Sequence, residues 1–591
     1  MSELQAQLLK RIGSVSSNNN VISNTICVSK NGDIYLAGIF GGTLNIGGNI
    51  APIKDTDGGL FIAKYNSSSA PIGLRQLIGT YFSGLSQVTS LVKSSNGDLY
   101  ATGCYYSGTL SIGSGITPII NIGEVQNGFL AKYNSDFTPI QLVSINSTEG
   151  SIGVSLAIST TGSVYVTGLY NGTLSIDDFT INSIGILNNG FLAKYNSDLT
   201  SSQLVGIDST EESVGNSISV STTGSVYVTG RYKGTLTIDN FTINSIGTDS
   251  NGFLAKYNSD LNPIQLVRID STEGSFGTSL AISTKGDVYV VGTFKGTLNI
   301  GDGMTATSNN GGFIAKYNSD LTPNGLNYMT CTFDTGTENF FVQTIKISSI
   351  DDVYVNGFFT GTIDINGRTA TANVGGFIVK YNSSLTPISL NVMVNQIIAE
   401  GLIPINNMAL TLNDELYVTG PFISTIDIGD GVPTITLPDG FVGGFIAKYS
   451  IINVEPICVV AGTPIHTDQG IFAIEQIDTK IHTIGRKRIV SITKAITPEK
   501  HLICFEAHSL AINCPTKRTI MTPGHEVLYK GKLVQAKQFL GKLDGVHTVP
   551  YDGKTVYNVL QEQHGLMVVN NMTVETLHPQ NKLAKRILDN Q

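Results

Sequence analysis

Two short sequence markers recur seven times in the first 450 residues and limit what this chain can fold into. The first is a Tyr followed three residues later by a Gly, within a run rich in Val and Ile. The second is a Lys-Tyr pair that closes a Gly-Phe-(Leu/Ile)-Ala-like run. The markers alternate in constant order at Tyr35, Tyr100, Tyr165, Tyr227, Tyr289, Tyr354 and Tyr417 and at Lys64, Lys132, Lys194, Lys256, Lys316, Lys380 and Lys448. Successive lysines are 60 to 68 residues apart, a period that predicts a repeat architecture.

One repeat unit, residues 155–207, indicates the structure to which the markers belong. Residues 155–159 and 163–167 alternate in polarity and are joined by Thr160-Thr161-Gly162, which is typical of a β-hairpin. Two short strand-like runs follow, and then two longer ones at 190–195 and 203–207. No apolar period of 3.6 residues competes with this pattern. Seven antiparallel units of four strands, each with a small inserted hairpin, predict an all-β fold and a seven-bladed β-propeller.

The two ends of this region indicate how the ring would close. The seventh Lys-Tyr pair, at Lys448, is not followed by the strand that follows the other six pairs. A matching strand-like run, residues 4–12, stands alone at the N-terminus. We expect residues 1–450 to form the propeller, with residues 4–12 completing the last blade and covering an exposed sheet edge.

The repeat core Gly-x-(Val/Ile/Leu)-Tyr-(Val/Leu/Ala)-(Thr/Ala/Val)-Gly resembles the repeats of known seven-bladed propellers of the SBBP type. Propellers have many functions, so the resemblance implies a fold and not an activity. The blades are rich in Ser, Thr, Asn and Gly and contain no His, and the recurring loop residues Glu149, Glu211 and Glu273 follow from the repetition itself. We therefore expect a binding or structural platform for a protein or glycan ligand, and consider an enzymatic propeller the alternative.

Composition excludes several classes of protein. The net charge is −9, and the part before Cys458 is the acidic one, because residues 458–591 carry 16 Lys and Arg against 11 Asp and Glu. This predicts no nucleic-acid partner. No run of 18 apolar residues and no signal-peptide pattern occur, which predicts a protein without a membrane span, cytoplasmic by default, with non-classical secretion or a virion as alternatives. We also expect a monomer. The six cysteines form no C-x-x-C pair, so we expect no disulfide framework, no metal site and no cofactor.

The residues suited to acid–base chemistry lie in the last quarter of the chain. All eight histidines follow Cys458, which comes after an extended linker at residues 451–457. The segment from Cys458 has the pattern Cys-x3-Gly-Thr-x-Ile-x-Thr-x2-Gly, and a Thr-Pro-Gly-His block ends at His525. The order and spacing of these motifs resemble the hedgehog/intein (Hint) family of self-processing domains over residues 458–581. The resemblance implies a compact all-β domain at residues 458–591.

The chemistry available to Cys458 follows from its position next to the Ile457 carbonyl. If its thiolate attacks that carbonyl, the peptide bond is exchanged for a thioester and the Cys458 amine is the leaving group. The reaction needs a proton for the amine and a polarised or distorted amide, for which His525 and Thr522 are suited. Resemblance to the Hint family implies the same two roles. The scissile bond is then Ile457–Cys458, and water would release residues 1–457.

Other outcomes of the thioester have weaker support in the sequence. Splicing needs a terminal His-Asn pair, which the segment up to His578 and Asn581 lacks, and the tail at 582–591 is too short for a sterol-transfer segment. Hydrolysis or transfer to another nucleophile is left. The family has a small residue before the nucleophile where this chain has Ile457. The rival hypothesis is an uncleaved binding or scaffold protein with a degenerate Hint domain.

The roles of several further residues in this segment stay open. Hedgehog-like proteins use an Asp as a proton acceptor, for which Glu499 and Asp478 are the candidates here. A structural role is as well supported as a catalytic one for Thr463, Pro464, His466 and His564. We interpret Asn558 and Asn570 as turn or strand-end residues.

Overall fold

The computed structural model describes residues 2–13, 20–79, 86–185, 187–247, 249–333, 340–395, 407–438, 441–453, 457–495 and 499–577. The chain forms two compact units, of which one spans Leu4–Ile451 and the other contains the described residues from Ile452 onwards. Within the described ranges the fold is all-β, with two short 3₁₀ helices and no α-helix. None of these helices is long and apolar enough to cross a membrane.

The first unit is a seven-bladed β-propeller, and each blade is an antiparallel sheet of four strands. The chain begins with β1 (Ser2–Ile12). Blade 1 contains β2 (Val21–Val28), β3 (Ile34–Leu44), β4 (Ile53–Tyr65) and β5 (Pro71–Gly79). Blade 2 contains β6 (Gln87–Lys93), β7 (Leu99–Ser111), β8 (Ile119–Tyr133) and β9 (Pro139–Ser147). Blade 3 contains β10 (Ser151–Ile158), β11 (Val164–Tyr170), the inserted hairpin β12 (Thr173–Ile176) and β13 (Phe179–Asn182), β14 (Asn189–Tyr195) and β15 (Ser201–Ser209).

The remaining four blades repeat this order. Blade 4 contains β16 (Glu212–Val220), β17 (Val226–Lys233), the hairpin β18 (Thr235–Ile238) and β19 (Phe241–Asn244), β20 (Asn251–Tyr257) and β21 (Pro263–Ser271). Blade 5 contains β22 (Ser275–Ile282), β23 (Val288–Asn299), β24 (Thr305–Tyr317) and β25 (Pro323–Thr332). Blade 6 contains β26 (Phe340–Ile347), β27 (Val353–Ile365), β28 (Arg368–Tyr381) and β29 (Pro387–Asn395). Blade 7 contains β30 (Asn407–Leu410), β31 (Leu416–Ile423), the hairpin β32 (Thr425–Asp427) and β33 (Ile435–Thr436), β34 (Val442–Asn453) and, as its outer strand, β1.

The two sequence markers are cross-strand partners, which explains why they recur together. In every blade the marker tyrosine lies opposite the marker lysine, as Tyr35 lies opposite Lys64. The lysine ammonium lies 5.3 to 5.9 Å from the tyrosine ring centre in six of the described blades, a cation–π contact. In five of the blades the tyrosine hydroxyl also donates to a carbonyl of the next blade, as Tyr165 does to Ser259 at 2.9 Å. The tyrosine therefore joins strands within a blade and neighbouring blades to each other.

The marker glycine is required by the close approach of two strands. A Cβ at Gly38 would lie 1.9 Å from the Ile22 carbonyl oxygen, and the equivalent contacts in blades 2 to 6 would be 1.8 to 2.1 Å. Each of these glycines lies next to an irregularity in the pairing with the innermost strand of its blade. Any side chain at this position would push the two strands apart.

Blade 7 is joined to blade 1, so the ring is closed. The Thr419 hydroxyl donates to the Ser23 hydroxyl at 2.8 Å, and Ser23 donates to the Gly420 carbonyl at 3.0 Å. Tyr417 donates to the Ser67 carbonyl at 3.4 Å. The innermost strands surround a central cavity of about 550 Å³ that is lined mainly by Ser, Thr, Asn and Gln side chains.

We expect Ile12→Ala to destabilise the propeller because this residue anchors β1. Ile12 is fully buried in a cluster with residues of blades 1 and 7, including Leu36 and Ile446. Truncation of a buried Ile should lower the free energy of unfolding by about 2–5 kcal/mol. Urea denaturation followed by circular dichroism would measure the change. Gln7→Ala, at an exposed position of the same strand, is the matched control, and equal effects of the two variants would contradict this role for β1.

The second unit consists of two packed sheets. Its strands are β35 (Val459–Val460), β36 (Pro464–Thr467), β37 (Gly470–Ala473), β38 (Thr483–Ile484), β39 (Lys487–Ala495), β40 (His501–Phe505), β41 (Thr519–Met521), β42 (Glu526–Tyr529), β43 (Lys532–Gln535), β44 (Val546–Pro550), β45 (Val556–Gln561), β46 (Leu566–Val569) and β47 (Met572–Glu575), with 3₁₀ helices at Ile474–Gln476 and Ala536–Phe539. One sheet has the order β38-β39-β45-β35-β41-β40-β44 and the other β37-β36-β46-β47-β42-β43. Apolar side chains of both sheets share one core.

Candidate functional site

Strand order places the Ile457–Cys458 peptide bond between two other strands. Cys458 immediately precedes β35, which pairs with β41 on one side and β45 on the other. Thr522 follows the end of β41, and Asn558 lies within β45. Side chains from the two neighbouring strands therefore reach the same peptide bond from different sides.

Thr522 holds the nitrogen side of this amide. The Cys458 N–H donates to Thr522 Oγ1 at 2.9 Å, and the Thr522 N–H donates to the Cys458 carbonyl at 2.9 Å. The Thr522 hydroxyl also donates to that carbonyl at 3.3 Å. Thr522 is fully buried, so these bonds are made away from water and fix the position of the Cys458 backbone.

Asn558 holds the carbonyl side of the same amide. Its Nδ2 donates a hydrogen bond to the Ile457 carbonyl oxygen, and its Oδ1 accepts one from the Val559 N–H at 2.7 Å. Interpretation of Asn558 as a turn or strand-end residue is wrong, since it lies in the interior of β45 and is fully buried. A single amide side chain in the apolar run Val-Tyr-Asn-Val-Leu is the sequence signal that could have indicated a role. Asn570 does lie in the turn between β46 and β47, with a φ of 46°.

His525 is buried beside the Cys458 backbone with one ring nitrogen engaged. Its Nε2 lies 3.2 Å from the Glu575 carbonyl oxygen, which can only accept, so Nε2 carries the proton and Nδ1 has the free lone pair. Burial lowers the pKa of His525 to about 4, against smaller opposing effects of the Cys458 and Glu575 backbones. Its imidazole is therefore neutral at pH 7 and can accept a proton.

The Cys458 thiol is also neutral in the resting site. Its side chain is 3% exposed, and burial raises the pKa of the thiol to about 12. A thiolate at pH 7 therefore requires transfer of the thiol proton to a nearby base.

Glu575 holds His525 in place and is itself in contact with His564. The Glu575 carboxylate accepts from the Glu526 N–H at 3.1 Å and lies 3.4 Å from His564 Nε2. Because Glu526 directly follows His525, this bond and the Glu575 carbonyl together fix the imidazole. Burial raises the pKa of Glu575 to about 7. No sequence motif marks Glu575, which reaches the site only through the pairing of β42 with β47.

Asp478 and Glu499 are the two carboxylates that the sequence predicts as proton acceptors. Asp478 is exposed, and its carboxylate accepts from the Lys480 N–H at 2.9 Å. Glu499 is half-buried in the segment that precedes β40. A proton-accepting role for either residue stays a prediction.

The Gly-Thr motif after Cys458 forms a turn. Thr463 donates through its hydroxyl to the Val460 carbonyl at 2.6 Å, and the Gly462 N–H donates to the Glu475 carboxylate at 2.8 Å. Pro464 and His466 lie in β36, which follows this turn. His578, Asn581 and residues 582–591 lie outside the described residues, as do residues 454–456 of the linker.

Comparison with known proteins gives a family for the second unit. The sequence pattern of the Hint domain family matches residues 457–581. No curated protein matches the chain.

Solved structures that align with this chain include three bacterial proteins. The first is a protein of unknown function from Dyadobacter fermentans (11% identity, 76% of this chain and 99% of that one, TM-score 0.38). The second is a catalytically inactive virginiamycin B lyase from Staphylococcus aureus with quinupristin (10% identity, 76% of this chain and 100% of that one, TM-score 0.36). The third is the periplasmic gluconolactonase of Pseudomonas aeruginosa (10% identity, 71% of this chain and 99% of that one, TM-score 0.37). The chain thus combines a seven-bladed β-propeller with a C-terminal domain of the Hint family.

Proposed function

We propose that this protein cleaves itself between Ile457 and Cys458. The observation that carries the proposal is that both ends of one peptide bond are held by buried side chains, with Thr522 on the N–H and Asn558 on the carbonyl. The nucleophile Cys458 is part of that bond, and the neutral imidazole of His525 lies beside it.

The first step converts the amide into a thioester. As Cys458 Sγ bonds to the Ile457 carbonyl carbon, the thiol proton passes to Nδ1 of His525. Negative charge develops on the carbonyl oxygen, to which Asn558 Nδ2 already donates. The carbon–nitrogen bond then breaks, and His525 returns the proton to the Cys458 amine.

Hydrolysis completes the reaction. Water attacks the thioester carbon, the carbon–sulfur bond breaks, and the thiol of Cys458 is regenerated as Ile457 gains a carboxylate. The products are the propeller, residues 1–457, and the Hint domain, residues 458–591. Since the nucleophile belongs to the substrate, each molecule reacts once. The released propeller acts as a binding module, for which its polar central cavity is a candidate site.

A second candidate function is an uncleaved binding protein in which the Hint domain no longer reacts. Two observations favour it. The branched side chain of Ile457 packs against Val490, Leu560 and Leu577, which holds the attacked carbonyl in its resting position. The buried thiol of Cys458 is also fully protonated at neutral pH.

Intact mass spectrometry of the purified full-length protein distinguishes the two functions. With added thiol or hydroxylamine, we expect one fragment that ends at Ile457 and one that begins at Cys458. The mass of the first fragment identifies the acceptor, because water leaves a free carboxylate and another nucleophile adds its own mass. Cys458→Ala should give neither fragment. An intact wild-type chain under all conditions would reject the cleavage proposal and leave the uncleaved binding protein.

A further inference from the structure

Three potential metal ligands lie together in the Hint domain: the Cys504 side chain is buried, Glu506 is partly exposed and His547 is exposed. Cys504 and His547 are direct cross-strand partners of β40 and β44. Glu506 lies two residues after Cys504, on the same face, and its N–H donates to the Gly545 carbonyl at 2.8 Å. A thiol, an imidazole and a carboxylate therefore project from one patch built on a regular pair of strands.

The spacing of these groups fits a tetrahedral metal ion. Glu506 Oε1 lies 3.5 Å from Cys504 Sγ and 3.6 Å from His547 Nε2, and all ligand atoms of the three residues lie within 4.8 Å of one another. Zinc bonds of about 2.0–2.3 Å require ligand atoms about 3.3–3.8 Å apart around a tetrahedron. The two separations from Glu506 already lie in this range. Only the distance between the Cys504 and His547 ligand atoms has to shorten when the ion binds.

We propose that Cys504, Glu506 and His547 bind a divalent metal ion of the zinc class. A thiolate together with an imidazole selects a borderline or soft ion over magnesium or calcium, which prefer oxygen ligands. Three protein ligands leave one position of the tetrahedron for water, as in open zinc sites. The sequence contains no C-x-x-C pair and so predicts no metal site, because ligands supplied by two paired strands leave no short motif.

Arg518 is the group that competes with the metal ion. Its Nε lies 3.2 Å from Cys504 Sγ and 3.4 Å from the Glu506 carboxylate, so its positive charge occupies the space between two of the ligands. About half of the Arg518 side chain is exposed, which lets it turn into solvent. Metal binding and the arginine contact exclude each other, and removal of the arginine should therefore increase affinity for the metal.

Titration with cobalt(II), a spectroscopic substitute for zinc, tests the site in the full-length protein. The background is Cys458→Ala, which removes the proposed nucleophile and prevents cleavage, so failure of the cleavage proposal cannot affect the result. We expect a thiolate-to-cobalt charge-transfer absorption that zinc abolishes. Arg518→Ala should lower the dissociation constant by about tenfold or more, since a direct charge competitor is lost.

Two further variants identify the ligands. Cys504→Ser should abolish the charge-transfer band, while Cys514→Ser should keep it. His547→Ala, at an exposed position where folding is not at risk, should weaken binding by about tenfold or more. No charge-transfer band in the background protein, or a band that survives Cys504→Ser, would overturn the proposal. Unchanged affinity in His547→Ala would overturn it as well.

Discussion

Asn558→Leu should slow hydroxylamine-dependent cleavage by about 10²–10³-fold, the loss expected when one donor to a developing oxyanion is removed. Leucine matches asparagine closely in volume but cannot donate to the Ile457 carbonyl, so the charge that forms on this oxygen loses its partner. The site is buried, and water cannot replace the missing donor without a rearrangement. Fragment formation over time, measured by intact mass spectrometry at fixed hydroxylamine concentration, gives the rate.

Thr493→Val is the matched control for Asn558→Leu. Thr493 is a buried neighbour whose hydroxyl donates to the Asn558 backbone carbonyl at 3.3 Å, away from the scissile bond. The change again exchanges a polar side chain for an apolar one of similar shape, and the cleavage rate should be nearly unchanged. If folded Asn558→Leu cleaves as fast as the wild type, the contact to Ile457 stabilises only the resting structure.

His525→Gln should lower the cleavage rate at pH 7 by about 10²–10⁴-fold and change how the rate depends on pH. In the wild type, burial holds the pKa of His525 at about 4, so the base is unprotonated throughout pH 5 to 8 and the rate should be constant there. Below pH 4 the protonated imidazole cannot accept the thiol proton, and the rate should fall. Glutamine cannot accept this proton at any pH.

The variant must therefore rely on thiolate formed by hydroxide. Burial raises the pKa of Cys458 to about 12, so the thiolate fraction rises about tenfold per pH unit below that value. The cleavage rate of His525→Gln should therefore rise by about tenfold per pH unit between pH 5 and 8. His501→Gln, at an exposed position of β40, is the control and should keep the flat wild-type profile. A flat profile in His525→Gln would show that another group is the base.

The propeller could be predicted in detail because repetition supplies seven independent observations of one pattern. The tyrosine and lysine markers are separate patterns in the sequence, and only the structure shows that they form a cross-strand pair with the lysine above the tyrosine ring. The glycine of the first marker is similar: its recurrence is apparent in the sequence, but the reason is the Ile22 carbonyl 1.9 Å from where its Cβ would lie.

The candidate site could be predicted only where a motif spans its residues. Cys458, Thr522 and His525 belong to two motifs with a family-specific spacing, and the structure brings Thr522 and His525 to the Cys458 backbone. Asn558 and Glu575 act through contacts made by strand pairing, for which a single sequence contains no direct signal. In the sequence, Asn558 therefore resembles a turn or strand-end residue, and Glu575 belongs to no motif.

The shared last blade also determines the order in which this protein can be completed during synthesis. Strand β1 ends at Ile12, but its partner β34 begins only at Val442. At translation rates of about 5–20 residues per second, the first strand waits roughly 20–90 s for the segment that covers it. Throughout this time the nascent chain carries an unpaired strand at one end and an incomplete ring at the other, both open to association with other chains. The residues of the proposed cleavage site are made after β34, so the propeller has all its strands before the proposed reaction separates it from the rest of the chain.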